Sequence, residues 1–328
     1  MNLSRVYIVV VSWNNFDDTK ECLDSLACID YPNYKIIIID NGSRDGSGKR
    51  LQKEFPQHFF IFNEENLGFA EGNNVGIKKA LEDPACAYVL CLNNDTAVER
   101  SFLSELIMVA KRNEYEHFGS FQAKMIVFSQ RNRIDSAGIF IKKSGYASNR
   151  GSLAPVSKYG DAEEIFGACG GAALYRREAI SSLCDNDGFF FDPVFFIYAE
   201  DVDVAMRLQL RGWKSFFVAS SIVFHKGSNT LGKYSVKSRM LGARNGIYVL
   251  AKNIPSSFLL IHSASVLFYR VIFIGRNFFR GFKYGIAATE GVVSGFLGWS
   301  NMRMNNYRRI SKEKQFWSEW KRVVKLFK

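Results

Sequence analysis

Apolar and polar positions along the first hundred residues alternate between two periods. Residues 6–12 (VYIVVVS) form an unbroken, largely β-branched run, the pattern of a strand covered on both faces of a parallel sheet. Asp17, Asp18 and Thr19 then open a stretch in which Cys22, Leu23 and Leu26 recur at helical spacing. Residues 35–40 (KIIIID) predict a second buried strand, 58–62 a third, 71–81 a helix, and 87–92 (AYVLCL) a fourth strand. Strand and helix in alternation predict an α/β fold on a mostly parallel sheet flanked by helices. Ligands of such sheets bind beyond the carboxyl ends of the strands. Polar clusters stand at those ends: Ser12 to Asn14, Asp40 to Ser43, and Asn93 to Asp95.

The middle third is less regular. Alternation in residues 133–147 predicts a hairpin, and the small residues of 167–173 (GACGGAA) allow close backbone approach. After an aromatic-rich stretch, residues 202–210 predict a helix closed by Gly212, and 215–225 a strand ending at His225.

A chain of 328 residues is long for one domain, which predicts a catalytic domain with an appendage. A 47% hydrophobic content and only 6 prolines exclude a disordered chain. The 6 cysteines form no CxxC pair, which fits reduced thiols in a reducing compartment. The first residues lack the features of a secretory signal, and the nearest approach to a membrane span, residues 258–275, carries His262 and Arg270. A cytoplasmic location follows as the expectation. Charge divides the chain more sharply: residues 1–236 hold 26 Lys/Arg against 29 Asp/Glu, residues 237–328 hold 17 against 3. The expected boundary is therefore a catalytic domain over 1–236 and a basic, aromatic-rich helical extension over 237–328. Cations among Phe, Trp and Leu suit an anionic membrane surface, with the protein peripheral on the inner face of the cell membrane. The alternative is a bundle that packs on the catalytic domain or on a second copy of the chain, giving a homo-oligomer.

Five constellations carry candidate chemistry. Asn93, Asn94 and Asp95 end a buried strand where a carboxylate can hold a hard divalent ion against a diphosphate, although such residues also make ordinary turns. Asp40, before Asn41 and Gly42, can accept from a ribose or a base edge, or simply begin a turn. Asn66, Gly68 and Asn73 lie around a helix start that can face a phosphate. This stretch matches neither GxGxxG nor a P-loop, which disfavours a Rossmann dehydrogenase and a P-loop NTPase. Glu200, Asp201 and Asp203 place carboxylates at a helix start, as a tuned base or as charges favoured by the helix dipole. His225, a strand-end histidine, either joins Asp95 on one ion or is an ordinary buried residue.

In order, the motifs VVSWNN, IIIIDNGSRDGS, NLGFAEGNNVGI, YVLCLNND, GACGGAALYRRE, FFIYAEDVDVAMRLQLRGW, FHKGSNT and ARNGIYVLAKN resemble the family 2 glycosyltransferases, in their bacterial rhamnosyltransferase-like branch. The resemblance spans about residues 5–250. It implies a GT-A nucleotide-diphospho-sugar transferase fold, an inverting mechanism, and Mg²⁺ or Mn²⁺. It assigns Asp201 as the base with Glu200 beside it, and Asp95 and His225 to the metal. Ser12, Asn14, Asp40, Asn66, Gly68, Asn73 and Asn94 fall to the nucleoside-diphosphate sugar donor. Asn93 stands where the strict metal motif has an aspartate. The implied acceptor is a glycan or lipid-linked hydroxyl in bacterial cell-surface polysaccharide or O-antigen synthesis, with dTDP-rhamnose or a UDP-sugar as donor.

Three rivals fit less well. A nucleotidyltransferase wants a basic Gly-rich loop after its first strand, where this chain has Ser12, Trp13, Asn14 and Asn15. A non-catalytic nucleotide-sugar binder or membrane scaffold would not need Asp95, Asp201 and His225. No nucleic acid partner is expected, because the charge behind the pI of about 9.3 lies in the aromatic tail and not among the motifs.

Overall fold

The computed structural model describes residues 3–227, 235–304, 311 and 315–328. The last three residues of the FHKGSNT motif, 228–230, lie outside the described residues.

The strands are β1 (Arg5–Ser12), β2 (Tyr34–Asp40), β3 (Phe59–Phe62), β4 (Cys86–Asn93), β5 (Thr96–Val98), β6 (Phe118–Val127), β7 (Ile134–Ser136), β8 (Ile139–Ile141), β9 (Ala147–Asn149), β10 (Glu163–Ile165), β11 (Ala172–Arg176) and β12 (Lys214–His225). The helices are α1 (Phe16–Ala27), α2 (Ser47–Glu54), α3 (Gly68–Leu81), α4 (Phe102–Ala110), α5 (Arg177–Asp187), α6 (Glu200–Leu210), α7 (Val236–Asn253), α8 (Ser256–Ile261), α9 (Ser263–Arg280), α10 (Phe282–Leu297), α11 (Trp299–Met302) and α12 (Phe316–Val323).

Among the described residues one sheet runs β10-β12-β6-β11-β4-β1-β2-β3, with β5 on β12 and β7 on β6. Its β3-β2-β1-β4 half is parallel, as the apolar runs predict. β11 lies antiparallel between β4 and β6, and β12 is again parallel to β6. The carboxyl ends of β1, β2, β4 and β12 therefore open on one edge. Val6, Ile8 and Val10 face one core with Leu23 and Leu26, while Val9 and Ile39 face another with Ala70 and Ile77.

The alternating segment does make a hairpin, β8–β9, but its first strand, β7, instead joins the main sheet against β6. β6 itself, ten residues with nine buried, is not anticipated by the pattern, since buried Ser120, Gln122 and Lys124 break its apolar signal. α3 starts at Gly68 and α6 at Glu200, each two or three residues earlier than the apolar periodicity predicts.

Residue 237 falls at the start of α7, which shares a core with α6. Phe195, Val202 and Met206 pack with Tyr248, Val249 and Ile254. Beneath this core lies a buried ionic network. Asp203 accepts from Arg207 Nε at 2.8 Å, Lys252 Nζ at 3.0 Å and Asn253 Nδ2 at 2.9 Å. Arg207 also meets Asp187 at 3.0 Å, and Lys252 meets Asp192. Burial alone would raise the pKa of Asp203, but Lys252 and Arg207 outweigh it and hold the carboxyl below its ordinary value.

Replacing Lys252 by Ala leaves Asp192 and Asp203 buried without their shared cation, a loss of about 3–5 kcal/mol on general grounds. Urea unfolding should show the corresponding fall in midpoint. Because the folded pKa of Asp203 is depressed, its contribution is present near neutrality and disappears as the pH falls through that value.

Candidate active site

The strand ends, the loop before α6, the β8–β9 hairpin and helices α7 and α9 enclose a cavity of about 600 Å³. Asp95, His225, Asp201, Glu200, Asn66 and Gly68 all line it.

At one corner β4 and β12 bring Asp95 and His225 together, with His225 Nε2 3.1 Å from Asp95 Oδ1. Asn93 Nδ2 lies 3.1 Å from the same nitrogen. The other ring nitrogen, Nδ1, faces Asp135 Oδ2 at 2.9 Å. Burial pulls the imidazolium pKa down, but hydrogen bonds to Asp135 and Asp95 outweigh this and raise it to about 10. At neutral pH this imidazole is therefore protonated, and an ion binding here must displace the Nε2 proton; with Nδ1–H held by Asp135, Nε2 is then the nitrogen left to coordinate. Asp95 and His225 are thus a fitting pair of donors for a hard divalent ion. Among the described residues no group of three His, Cys, Asp or Glu forms a closed cage. An ion shared with a diphosphate needs none, because phosphate oxygens and water complete its shell.

At the opposite end of the polar lining, Asp201 sits in the first turn of α6. Its carboxylate accepts from Gly170 N at 3.2 Å and from its neighbour Val202 N at 2.8 Å. It is enclosed by protein yet partly open to the cavity. Burial raises its pKa despite these backbone hydrogen bonds. Glu200 is buried more completely, and Oε2 has no partner. Burial and the neighbouring Asp201 charge push Glu200 well above the ordinary range. Of the two, Glu200 is pushed further toward its neutral form. Asp203, the third acid of the group, is committed to Lys252 and Arg207.

The segment entering α6 is strained. Phe196, Tyr198 and Ala199 have φ of +61°, +73° and +67°, a region that costs side-chain-bearing residues of order 1–3 kcal/mol each. Asn245 of α7, fully buried, donates to the carbonyls of Phe195 at 2.9 Å, Ile197 at 2.9 Å and Tyr198 at 2.7 Å. The same segment touches the first turn of α3, because Ala70 N donates to Phe196 O at 3.1 Å. Gly68 is obligatory there: its φ is +78°, and a Cβ would stand 2.4 Å from Phe196 O.

The donor-side residues divide in two. Asn66, Gly68 and Asn94 line the cavity. Asn66 Oδ1 accepts from Asn41 Nδ2 at 3.1 Å and Gly68 N at 2.8 Å, and Asn94 Nδ2 donates to Thr19 at 2.9 Å. Ser12, Asp40 and Asn73 are buried outside this lining, and Asn14 is exposed. Ser12 bonds Thr19 at 2.8 Å, Asn14 receives Arg44 N at 2.8 Å, Asp40 receives Ser43 N at 3.2 Å, and Asn73 donates to Phe69 O at 2.9 Å. Asn41, next to Asp40, does reach the cavity. It stitches the loop together by also accepting from Asn63 at 2.9 Å and Leu67 N at 3.2 Å. Sequence reasoning missed Asn41, Asp135 and Asn245. Asp135, a lone acid inside an apolar alternation, was the most findable, whereas nothing local marks Asn245.

Comparison with known proteins identifies the fold and the family. Over 230 residues the chain is 27% identical to the rhamnosyltransferase WbbL of Escherichia coli K12, covering 67% of this chain and 83% of the relative. It is 25% identical to the poly-beta-1,6-N-acetyl-D-glucosamine synthase of Staphylococcus aureus, covering 78% of this chain but only 58% of that protein. By fold it is similar to GalNAc-T7 solved with UDP, GalNAc and Mn²⁺, with a TM-score of 0.60 and 17% identity over 76% of this chain and 48% of that one. It is also similar to a mannosyltransferase from Pyrobaculum calidifontis solved with GDP-Man and Mn²⁺, with a TM-score of 0.53 and 15% identity over 99% of this chain and 85% of that one. The fold is thus the GT-A fold, and the family model for glycosyl transferase family 2 matches residues 7–184, more than half of the chain. The chain belongs to glycosyl transferase family 2.

Proposed function

We propose that this glycosyltransferase inverts its donor's anomeric carbon, uses a divalent ion, and acts at a membrane surface on a lipid-linked or polysaccharide acceptor. One observation carries the reading. Asp201, enclosed and held by two backbone N–H groups, shares a cavity with the Asp95–His225 pair, so a carboxylate suited to act as base and a corner suited to a diphosphate face one space.

Asp201 takes the proton from the acceptor hydroxyl as its oxygen attacks the anomeric carbon from the side away from the diphosphate. The bond to that diphosphate breaks in the same displacement, and no enzyme nucleophile is required. Glu200, protonated, adds no second charge beside the base. Gly170 N and Val202 N hold the Asp201 carboxylate in place. Asp95 and His225 Nε2 would hold Mg²⁺ or Mn²⁺, which when bound supplies positive charge against the departing diphosphate. Asn66 and the α3 start line the same cavity and would face the donor's phosphates. The rhamnosyltransferase likeness favours dTDP-rhamnose, and the synthase likeness favours a UDP-sugar.

The membrane reading rests on helices α8 to α10. Among the described residues no helix is long and apolar enough to cross a membrane. Leu260, Ile261, Phe268, Val271, Phe279 and Phe282 are nevertheless exposed. Arg276, Arg280 and Lys283 share this stretch of chain with them. Such a surface lies in an interface with its rings inward and its cations on anionic headgroups, each cation adding about 1 kcal/mol.

Asp201→Asn should lower nucleoside-diphosphate release in the presence of acceptor by on the order of 10²–10⁴-fold, with donor affinity retained. Wild-type rate should fall as the pH drops through a value above the ordinary carboxylate pKa, since burial raises that of Asp201 and only the ionised form accepts a proton. Retained turnover in the Asn variant would move the base elsewhere.

Asp95→Ala should abolish transfer across a panel of nucleotide sugars, and excess chelator should do the same to the wild type. Full activity in chelator would overturn the metal reading.

In flotation, the full chain should rise with phosphatidylglycerol vesicles, less so at high salt. The triple variant Phe268→Ser, Phe279→Ser, Phe282→Ser should stay behind. Equal flotation of the variant would remove these rings from the contact.

A further inference from the structure

Most buried charge in this protein is matched. Arg207 meets Asp203 and Asp187, and Lys252 meets Asp192 and Asp203. Arg270 is different. It lies on the inward face of α9, is 5% exposed, and has no carboxylate within ion-pair reach among the described residues. Among the described residues its hydrogen bond to protein runs from Nη2 to Gly246 O at 3.2 Å, and its buried Nε has no partner. The guanidinium lies 5.0 Å from the ring of Tyr269. Burial pushes its pKa down to about 10, which leaves it charged at neutral pH.

Arg270 lines the same cavity as Asp201 and Asp95. The wall there is built by α7, α9 and the β8–β9 hairpin, whose Tyr146 meets Tyr269 with ring centroids 5.2 Å apart. Room for the guanidinium comes from Gly246, where a Cβ would already approach Nη1 to 3.3 Å. A buried, unpaired cation is among the least favourable placements a folded chain makes. It is explained when the missing anion belongs to a ligand, and a guanidinium matches phosphoryl oxygens in planar, two-point geometry.

We propose that Arg270 is the anion-binding end of the acceptor site and takes a phosphoryl group of a phosphate-bearing acceptor. The inference rests on the reading of the cavity as a glycosyl-transfer site. The donor's diphosphate has its own corner at the strand ends, at Asp95 and His225, whereas Arg270 belongs to the helical wall. The outward side of α9 exposes Leu267, Phe268 and Val271. An acceptor with an apolar tail could rest there while its phosphate reaches Arg270, so the occupant expected is a lipid phosphate.

The test is direct binding to the full chain in excess chelator, so that no divalent ion draws a diphosphate to Asp95. The probes are farnesyl diphosphate, inorganic pyrophosphate and farnesol. Farnesyl diphosphate should bind the wild type, pyrophosphate should compete with it, Arg270→Met should weaken it at least tenfold, and Arg270→Lys should fall between. Farnesol binding should not respond to either substitution. Nucleoside-diphosphate affinity, measured separately with Mn²⁺, should be unchanged in Arg270→Met, which keeps a failure of the donor reading distinct. Removing an unpaired buried charge should leave Tm equal or higher. Pyrophosphate binding as tight as that of the farnesyl ester would keep the subsite and assign it to a small phosphorylated acceptor. Equal farnesyl diphosphate affinity in wild type and Arg270→Met would overturn the proposal. So would a lowered Tm with parallel loss of the nucleotide, which marks a structural arginine.

Discussion

The side-chain amide of Asn245 holds the segment on which the site depends. It donates into three carbonyls of the turn before α6, where Phe196, Tyr198 and Ala199 adopt left-handed backbone. Phe195 O also accepts from Ile197 N at 2.7 Å, whereas Ile197 O and Tyr198 O are held by this amide, which helps the chain keep three unfavourable φ values in four residues. The turn in turn aims the first residues of α6, and therefore Asp201, at the cavity. It also meets the first turn of α3 through Phe196 O. One amide thus couples the position of Asp201 to the start of α3.

This places a structural duty on a region whose composition suggests only charge and surface. α7 supplies Asn245 to the turn and Lys252 and Asn253 to the buried network under α6. The basic C-terminal region accordingly has two faces. One is built into the catalytic core, and the other, on α8 to α10, exposes apolar side chains.

The sheet divides the chemistry in a corresponding way. Strand ends supply Asp95 and His225, brought to close range because β5, just after Asp95, pairs with the end of β12. Between β4 and β12 in the sheet lie β11 and β6. Antiparallel β11 is preceded by the small-residue turn that lends Gly170 N to Asp201. Asp201 is therefore positioned by turns and helices, and the Asp95–His225 corner by strands.

The alternating architecture, the buried parallel strands, and the polar clusters at their carboxyl ends were legible in the sequence, because a two-sided strand must be continuously apolar and a strand-end turn must be polar. Asp95, Asp201 and His225 could be named for the same reason: each follows or precedes a strongly patterned element. β6 was not legible, since Ser120, Gln122 and Lys124 are buried in pairs and contacts that only the finished sheet provides. Nor was the difference between Asp40 and Asn41, neighbours whose side chains a turn sends to opposite sides of the lining. Asp135 behind His225, Asn245 under the left-handed turn, and Arg270 in the helical wall join the site from 90, 47 and 69 residues away from His225, Tyr198 and Asp201 along the chain. Local pattern determines which elements form; long-range packing alone decides which polar side chains those elements bring face to face.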